Sequence, residues 1–551
     1  MKKIVLILII VLASFLRLYR LGSYPALNAD EAAIGYNAYS LLETGKDEHG
    51  NPWPISFQSF NDYKPGFYIY LVMPFVKFLG LNEWAVRLPN AVLGIVSVYV
   101  LYLLVNELFK DKSENINVKV DGELLGLISA MFLAISPWHL HFSRGGWEVN
   151  TATLFIMLFL YFLLKALRFK KINLFVFSAL FFVLSLYTYH AARIVTPLLL
   201  FGFTVFYWKD LRKSLKMVLI PLIFGIILLL PLVHDLAKGE IISRAAGVGL
   251  LADVGPIERT NEQRMEHKGV FSIILHNKVV NYGLAFMNNW GSHYHGLFLF
   301  ISGDVIQRNA VPETGQMYLY EIITCFIGLY FIFKTYSKNS SNYNLILWWL
   351  LIAPIPAALT FQSPHALRAQ NMVIPLTIIS SLGALKIINF ILERKKLVRT
   401  FLLAILTIIV VWNFSRYLHM YYKHMSKEYP FSSQYGVKEL VDYLSNNDGE
   451  YQNIVVTNKY DQPYILFLFY SKYPPAMFQK DHTLTPRDRY GFSTVTRYSN
   501  YVFKAIDWDE DKLAYPNSII AGSDEEIPDE ANIIKRIYGS NDYLYFKVVA
   551  N

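Results

Sequence analysis

Charge is what this chain of 551 residues has least of: Asp, Glu, Lys and Arg make up only 17% of it, against 54% hydrophobic residues. Soluble domains carry about 25% charged residues, so the shortfall excludes an ordinary water-soluble chain. Cysteine is nearly absent. The single Cys325 lies in an apolar run and rules out an intrachain disulfide, which leaves the redox compartment unspecified. No glycine-rich loop joins a strand to a helix in the manner of a nucleotide site, which argues against ATP or a nucleotide sugar as direct substrate. The formal charge of +9 does not spell nucleic acid either, because the lysines and arginines gather in short loops between apolar runs.

Those runs are what the chain does have. About eleven reach membrane length, centred on 3–18, 87–109, 122–138, 150–167, 172–189, 194–208, 217–234, 316–333, 344–361, 371–391 and 399–415. The pattern predicts a mainly α, polytopic membrane protein of about eleven transmembrane helices. Met1-Lys2-Lys3 opens like a signal peptide, but no small-residue cleavage site follows, so an uncleaved first helix is expected. Pro221, Pro231, Pro354 and Pro356 predict local kinks.

Basic residues set the orientation. Lys2/Lys3, Lys165/Arg168/Lys170/Lys171, Lys209/Arg212/Lys213/Lys216, Lys334/Lys338 and Arg394/Lys395/Lys396/Arg399 all fall on one side if the spans alternate, and that side is cytoplasmic. The outer side then receives residues 19–86, with an interfacial helix at Phe67–Leu79, the long segment 235–315, and everything after about 420. Domains are expected at 1–420, spanning the membrane, and at 421–551, a small extracytoplasmic α/β domain. In the latter, Asn453–Thr457, Ile465–Tyr470 and Tyr543–Val549 read as strands. Segment 235–315 is long enough to fold over a site, and its aromatic content argues against a disordered loop.

Asp30-Glu31 stands just past the first apolar run, where lipid-borne chemistry needs an acid or a base. The bland account is helix capping over Glu31–Leu42, by Asn28 or Asp30, with Glu31 facing the helix dipole. Asn61-Asp62-Tyr63-Lys64-Pro65-Gly66 reads as a turn, or as a mount that sets Lys64 on a phosphate. The outer loops around Arg144 and Glu148, Arg193, and His365 with Arg368 each combine histidine with one arginine. Interface anchoring explains one such loop; several on one face, with Lys64, suit an anionic head group. His139-x-His141 and His293-x-His295 are weakly specific metal spacings, so no metal ligand is assigned and a divalent ion is left open.

The order of these features resembles the multi-spanning, lipid-dependent glycosyltransferases of the protein O-mannosyltransferase and aminoarabinose-transferase superfamily, the GT-C architecture. The features are a first span, an outer Asp-Glu, a Lys-Pro, then Arg87-Leu-Pro-Asn-Ala-Val-Leu-Gly. The likeness covers roughly 1–420 and is strongest over 28–110 and at the Arg144 to Glu148 cluster. It implies inverting transfer of a hexose or pentose from a polyprenyl-phosphate carrier to a protein, lipid or glycan acceptor at the outer face of the cell membrane. It also implies catalytic roles for Asp30 and Glu148 and carrier-phosphate binding by Lys64; the reading of the residues adds Glu31 as a catalytic candidate and Arg144, Arg193, His365 and Arg368 as further phosphate ligands. Aminoarabinose transferases have a glutamate before the lysine; Tyr63 stands there in this chain, which counts against that sugar. A lipid-linked sugar transporter would place charges at the bilayer midplane, where this chain has almost none. A polysaccharide polymerase or ligase would share the chemistry and differ in acceptor.

Overall fold

Six described helices are long and apolar enough to cross a membrane: Glu83–Leu108, Glu148–Phe169, Leu215–Ala237, Val270–Ile301, Gln370–Leu392 and Lys396–Glu428. The computed structural model describes residues 1–60, 62–110, 120–238, 247–266, 269–335, 341–429, 434–446, 451–487 and 493–551. Asn61 and Lys338, both named above, lie outside these. The remaining expected spans are shorter helices. Gly122–Ile135 ends where Ser136 caps a new turn with Pro137 at its first position. Ser341–Ile352 stops before Pro354, since proline lacks the N–H that continues a helix. Segment 235–315, expected as an outer loop, is largely helical and contains the long run Val270–Ile301.

The chain divides into two compact units. One comprises Met1–Tyr19 and Asn90–Met420, the other Arg20–Pro89 and Tyr421–Asn551. Residues 20–89, placed by the sequence with the spanning helices, therefore pack with the tail.

The helical unit contains α1 (Lys2–Leu18), most of the helix starting at Glu83, and the bundle after it. Two of its helices, Glu321–Lys334 and Val373–Leu392, cross in close contact. A Cβ on Gly383 would stand 1.8 Å from the Thr324 carbonyl oxygen, and one on Gly328 2.0 Å from that of Ile379. Small residues there let two backbones touch, as in membrane helix pairs, and the hydroxyls of Thr324 and Ser380 bond across the contact at 2.6 Å.

The second unit is α/β. Helix α2 (Ala29–Thr44) is followed by an antiparallel hairpin of β1 (Ser56–Ser59) and β2 (Asp62–Pro65), and then by α3 (Phe67–Leu79), the helix expected there. The tail supplies β3 (Asn453–Thr457), β4 (His482–Leu484), β5 (Val495–Tyr498), β6 (Tyr501–Lys504), β7 (Ser518–Gly522), β8 (Ile533–Tyr538) and β9 (Leu544–Ala550), which form a seven-stranded sheet in the order β4-β5-β6-β3-β7-β9-β8, with β3 parallel to both β6 and β7. Of the three strands expected, Asn453–Thr457 and the last, now β9 (Leu544–Ala550), are strands. Ile465–Tyr470 is not: it lies in a helix, Pro463–Ser471, buried all round. A continuous apolar run has no period by which to separate a buried strand from a buried helix. Gly35 on α2 faces that helix so closely that a Cβ would stand 2.5 Å from the ring of Phe469.

Candidate functional site

Helix α2 starts at Asn28. The Asn28 side-chain oxygen accepts the N–H of Glu31 at 3.0 Å, and the Glu31 carboxylate accepts the N–H of Asn28 at 3.3 Å. This reciprocal capping box satisfies two otherwise orphaned donors. Capping thus falls to Asn28 and Glu31, and Asp30 between them turns elsewhere.

Asp30 meets Lys64: Oδ1 lies 2.5 Å from Nζ. Lys64 sits on β2 opposite Phe57 of β1, and its ammonium lies over the Phe60 ring, 4.9 Å from the centroid. Both side chains reach solvent, 27% exposed for Asp30 and 13% for Lys64. The hairpin and the first turn of α2 therefore bring a carboxylate and a cation, 34 residues apart in sequence, to one partly open position.

Glu31 points inward. Its two oxygens take Nε and Nη2 of Arg87 at 2.7 Å each, with both side chains essentially buried. Arg87 also donates to the carbonyls of Leu21, Pro25 and Ala26 at 3.0, 2.9 and 3.2 Å. The planar guanidinium fork suits this role, since it offers five donors in fixed directions. Glu31 is held by a buried, fully engaged partner, and Asp30 by an accessible one.

In the helical unit, Arg144 is buried and donates to the carbonyls of Leu16 and Tyr19 at 2.5 and 2.8 Å, at the C-terminal end of α1. Arg17 beside it serves the end of Gly122–Ile135, donating to Leu133 and Ala134, and meets His139 Nδ1 at 2.8 Å. Cations at helix C-termini answer both the orphaned carbonyls and the dipole. Asn90 donates to the carbonyls of Phe142 and Gly145, and Asn150 to the Asn90 side chain at 2.8 Å, which fixes the turn carrying Arg144. Glu148 opens the helix Glu148–Phe169 as a half-buried first-turn acid.

Arg193 is half-buried, donates to the Leu186 carbonyl at 3.1 Å and faces His190 Nδ1 at 3.2 Å. Arg368, also half-buried, donates to Thr360 Oγ1 at 2.7 Å. His365 is buried, and its main-chain N–H donates to His293 Nε2 at 3.1 Å. Asp304 clasps the same turn, accepting the N–H of Ala366 at 2.6 Å. Among the described residues no group of three or more His, Cys, Asp or Glu side chains converges as a metal site. His139 and His141 in particular face different partners, Arg17 and the Arg308 carbonyl.

Sequence reasoning missed Asp304, and it missed a second acidic pair. Asp47 and Glu48 are fully buried in the turn after α2. Asp47 accepts the N–H groups of His49 and Asn51 and the Asn51 amide at 2.8–3.0 Å. Among the described residues neither oxygen of Glu48 has a hydrogen-bond partner. Beside Lys46 and Gly50 these acids read as a solvated turn; only the packing of the tail against it buries them.

Residues 63–234 match the family of dolichyl-phosphate-mannose-protein mannosyltransferases. In fold, the chain is similar to ArnT from Cupriavidus metallidurans bound to undecaprenyl phosphate, with a TM-score of 0.54 at 11% identity over 99% of this chain and 97% of that one. It is also similar to the oligosaccharyltransferase of Archaeoglobus fulgidus in complex with Zn and sulfate, with a TM-score of 0.51 at 13% identity over 85% of this chain and 61% of that one. No curated protein sequence matches the chain. The GT-C resemblance carried by the motifs of residues 28–110 thus extends to the fold, and the chain is a multi-pass membrane protein.

Proposed function

We propose that this protein is an inverting membrane glycosyltransferase that moves a sugar from a polyprenyl-phosphate carrier to an acceptor at the outer face of the membrane. The observation that carries the reading is the partly exposed Asp30–Lys64 pair at the start of α2. An acceptor hydroxyl attacks the anomeric carbon, its proton passes to Asp30, and the bond from that carbon to the phosphate oxygen breaks with the electron pair leaving on the phosphate. Positive charge grows on the sugar and negative charge on the leaving group, so a fixed cation beside a base serves both halves of the step. Lys64 is the carrier-phosphate ligand in this account. The arriving anion competes with Asp30 for the ammonium and leaves the carboxylate ready to accept a proton.

Glu31 is a positioning residue here: through Arg87 it fixes the turn that presents Asp30. In the helical unit, Arg193 and Arg368 are the cations we assign to anionic groups, and Glu148 is the second acid. Arg144 holds helix ends, and His365 the turn that carries Arg368. The ArnT structure holds undecaprenyl phosphate, which supports a lipid-phosphate donor of the same class. Membranes containing the protein are expected to release polyprenyl phosphate from a labelled polyprenyl-phosphate sugar, and those with folded Asp30→Asn are not. Undiminished turnover by that variant would remove Asp30 from the chemistry.

A further inference from the structure

The turn after α2 holds a chain of hydrogen bonds whose direction can be deduced. His482 Nδ1 lies 2.9 Å from the Phe478 carbonyl oxygen, so it carries a proton and donates. In neutral His482 the other nitrogen, Nε2, is then an acceptor. It faces His49 Nδ1 at 3.2 Å, so His49 donates through Nδ1. That leaves His49 Nε2 as a bare acceptor, and the group facing it, at 3.5 Å, is Glu48 Oε1; among the described residues neither atom has a hydrogen-bond partner elsewhere. Only a protonated Glu48 can donate to it.

We propose that Glu48 is a neutral, proton-bearing acid that faces the bare end of this chain, so that no carboxylate charge at position 48 competes with an anionic phosphate for Lys64. The second half of this inference rests on the reading of Lys64 as the carrier-phosphate ligand; the first half does not.

The surroundings bear the assignment out from every side. Glu48 is fully buried, and among the described residues neither of its oxygens has a hydrogen-bond partner. The amide of Asn37 on α2 donates to the Ala33 carbonyl at 2.9 Å, and its oxygen accepts the main-chain N–H of Glu48. Tyr36, on the same helix, gives its hydroxyl proton to the Tyr473 carbonyl. Tyr464 and the ammonium of Lys64 lie within electrostatic reach. Burial first, and then the neighbouring Asp47 charge, push the Glu48 carboxyl well above the usual carboxylate range, with Asn37 and then Lys64 opposing. Burial likewise pulls the His49 imidazole down to about 3, with His482 adding to the effect. Asp47, its neighbour in sequence, has the donors that Glu48 lacks. Burial raises the Asp47 carboxyl as well, but the donors from Asn51 and His49 oppose that rise, and Glu48 is the one of the two pushed well above the usual range.

The reverse chain would run from a His482 imidazolium through His49 to an ionised Glu48. It would leave a buried carboxylate with one distant imidazole donor, a costly arrangement.

The test uses the full chain in detergent or nanodiscs. Nitrogen-15 NMR of histidine-labelled protein at neutral pH should show His49 and His482 both protonated at Nδ1 and bare at Nε2. A His49 protonated at Nε2 overturns the proposal. Infrared difference spectra between wild type and Glu48→Gln should lose the C=O stretch of a protonated carboxyl; loss of a carboxylate band instead overturns it as well. If Glu48→Gln does not fold, the tautomers decide alone. Undecaprenyl phosphate is the binding probe: Glu48→Gln should hold it within about twofold of wild type, and Lys64→Ala should lose tenfold or more, as for a lost charge-assisted hydrogen bond. A folded Glu48→Gln that loses tenfold shows that the charge at 48 was needed. Undiminished binding by Lys64→Ala refutes the phosphate reading while leaving the proton on Glu48 established by the spectra.

Discussion

Adjacent carboxylates at the start of α2 should fail in opposite ways when removed. Glu31 is bound bidentately by Arg87 with both groups buried. Truncating one partner of such a pair strands the other charge and costs about 3–5 kcal/mol. Loss of the capping box adds about 1 kcal/mol. Against a total stability of about 5–15 kcal/mol, Glu31→Ala should unfold much of the population or lower its melting temperature severely. Asp30 is different. Its ion pair with Lys64 is partly solvated, and such pairs contribute at most about 1 kcal/mol. Asp30→Asn should therefore melt within a few degrees of wild type, while loss of a general base lowers turnover by about 10²–10⁴-fold. The assay pairs thermal unfolding in detergent with release of labelled polyprenyl phosphate. A Glu31→Ala protein that keeps its melting temperature but loses turnover, with an active Asp30→Asn, would exchange the two roles and refute the reasoning.

Lys64→Ala should weaken donor binding by about 10- to 150-fold, the value of one charge-assisted hydrogen bond of about 1.5–3 kcal/mol, seen as a higher donor KM. The turn at 47–49 makes a pH prediction with opposing signs. His49, held down at about 3 against about 6.5 unfolded, supplies stability present above pH 6.5 and lost as pH falls. Glu48, held above its unfolded value of about 4.3, does the reverse and favours the folded state as pH falls toward 4.3. Between about pH 6.5 and 4.5 the two effects oppose each other in wild type; on acidification His49→Gln should gain stability and Glu48→Gln lose it, by at most about 1.4 kcal/mol per pH unit. Chemical unfolding across that range checks it, and parallel slopes in all three proteins would refute it. Reporters fused after Lys46 and after Arg264 are expected outside the membrane and one after Lys170 inside; a cytoplasmic signal from either of the first two overturns the orientation.

The helical nature of the chain and the position of Asp30 were legible because they depend on local pattern. Apolar run length marks spanning helices, and a polar pair at the end of such a run stands out against it. Lys64 was legible through its Pro-Gly turn, although its distance to Asp30 was not. Three things were hidden for a common reason, which is that they depend on contacts remote in sequence. The helix at Pro463–Ser471 presented a run without period and was expected as a strand. Residues 20–89 were grouped with the spans by proximity in sequence, whereas they share a core with the tail, through residues such as Tyr36, Tyr68, Tyr464 and Phe546. Glu48 lay in a stretch of charged and turn-forming residues that reads as solvated, and the imidazole chain that explains its burial runs through His482, far along the sequence.

The arginines carry the sharpest lesson about site prediction. Arg144 was conspicuous as a cation beside an expected lipid head group and Arg87 as part of a family-like motif, and both turn their guanidinium forks onto main-chain carbonyls near the end of the first helix. Arg87 in addition closes on Glu31. A guanidinium distributes its charge over several fixed donors, so it is suited to ends of helices and turns where carbonyls point in several directions. An ammonium is a compact charge on a flexible stem, and it can pass from one anion to another without breaking a network. That distinction separates the cations better than their position in the sequence. A lysine shared with a partly exposed carboxylate is suited to exchange that partner for another anion, and arginines locked into the backbone are suited to hold turns and helix ends still.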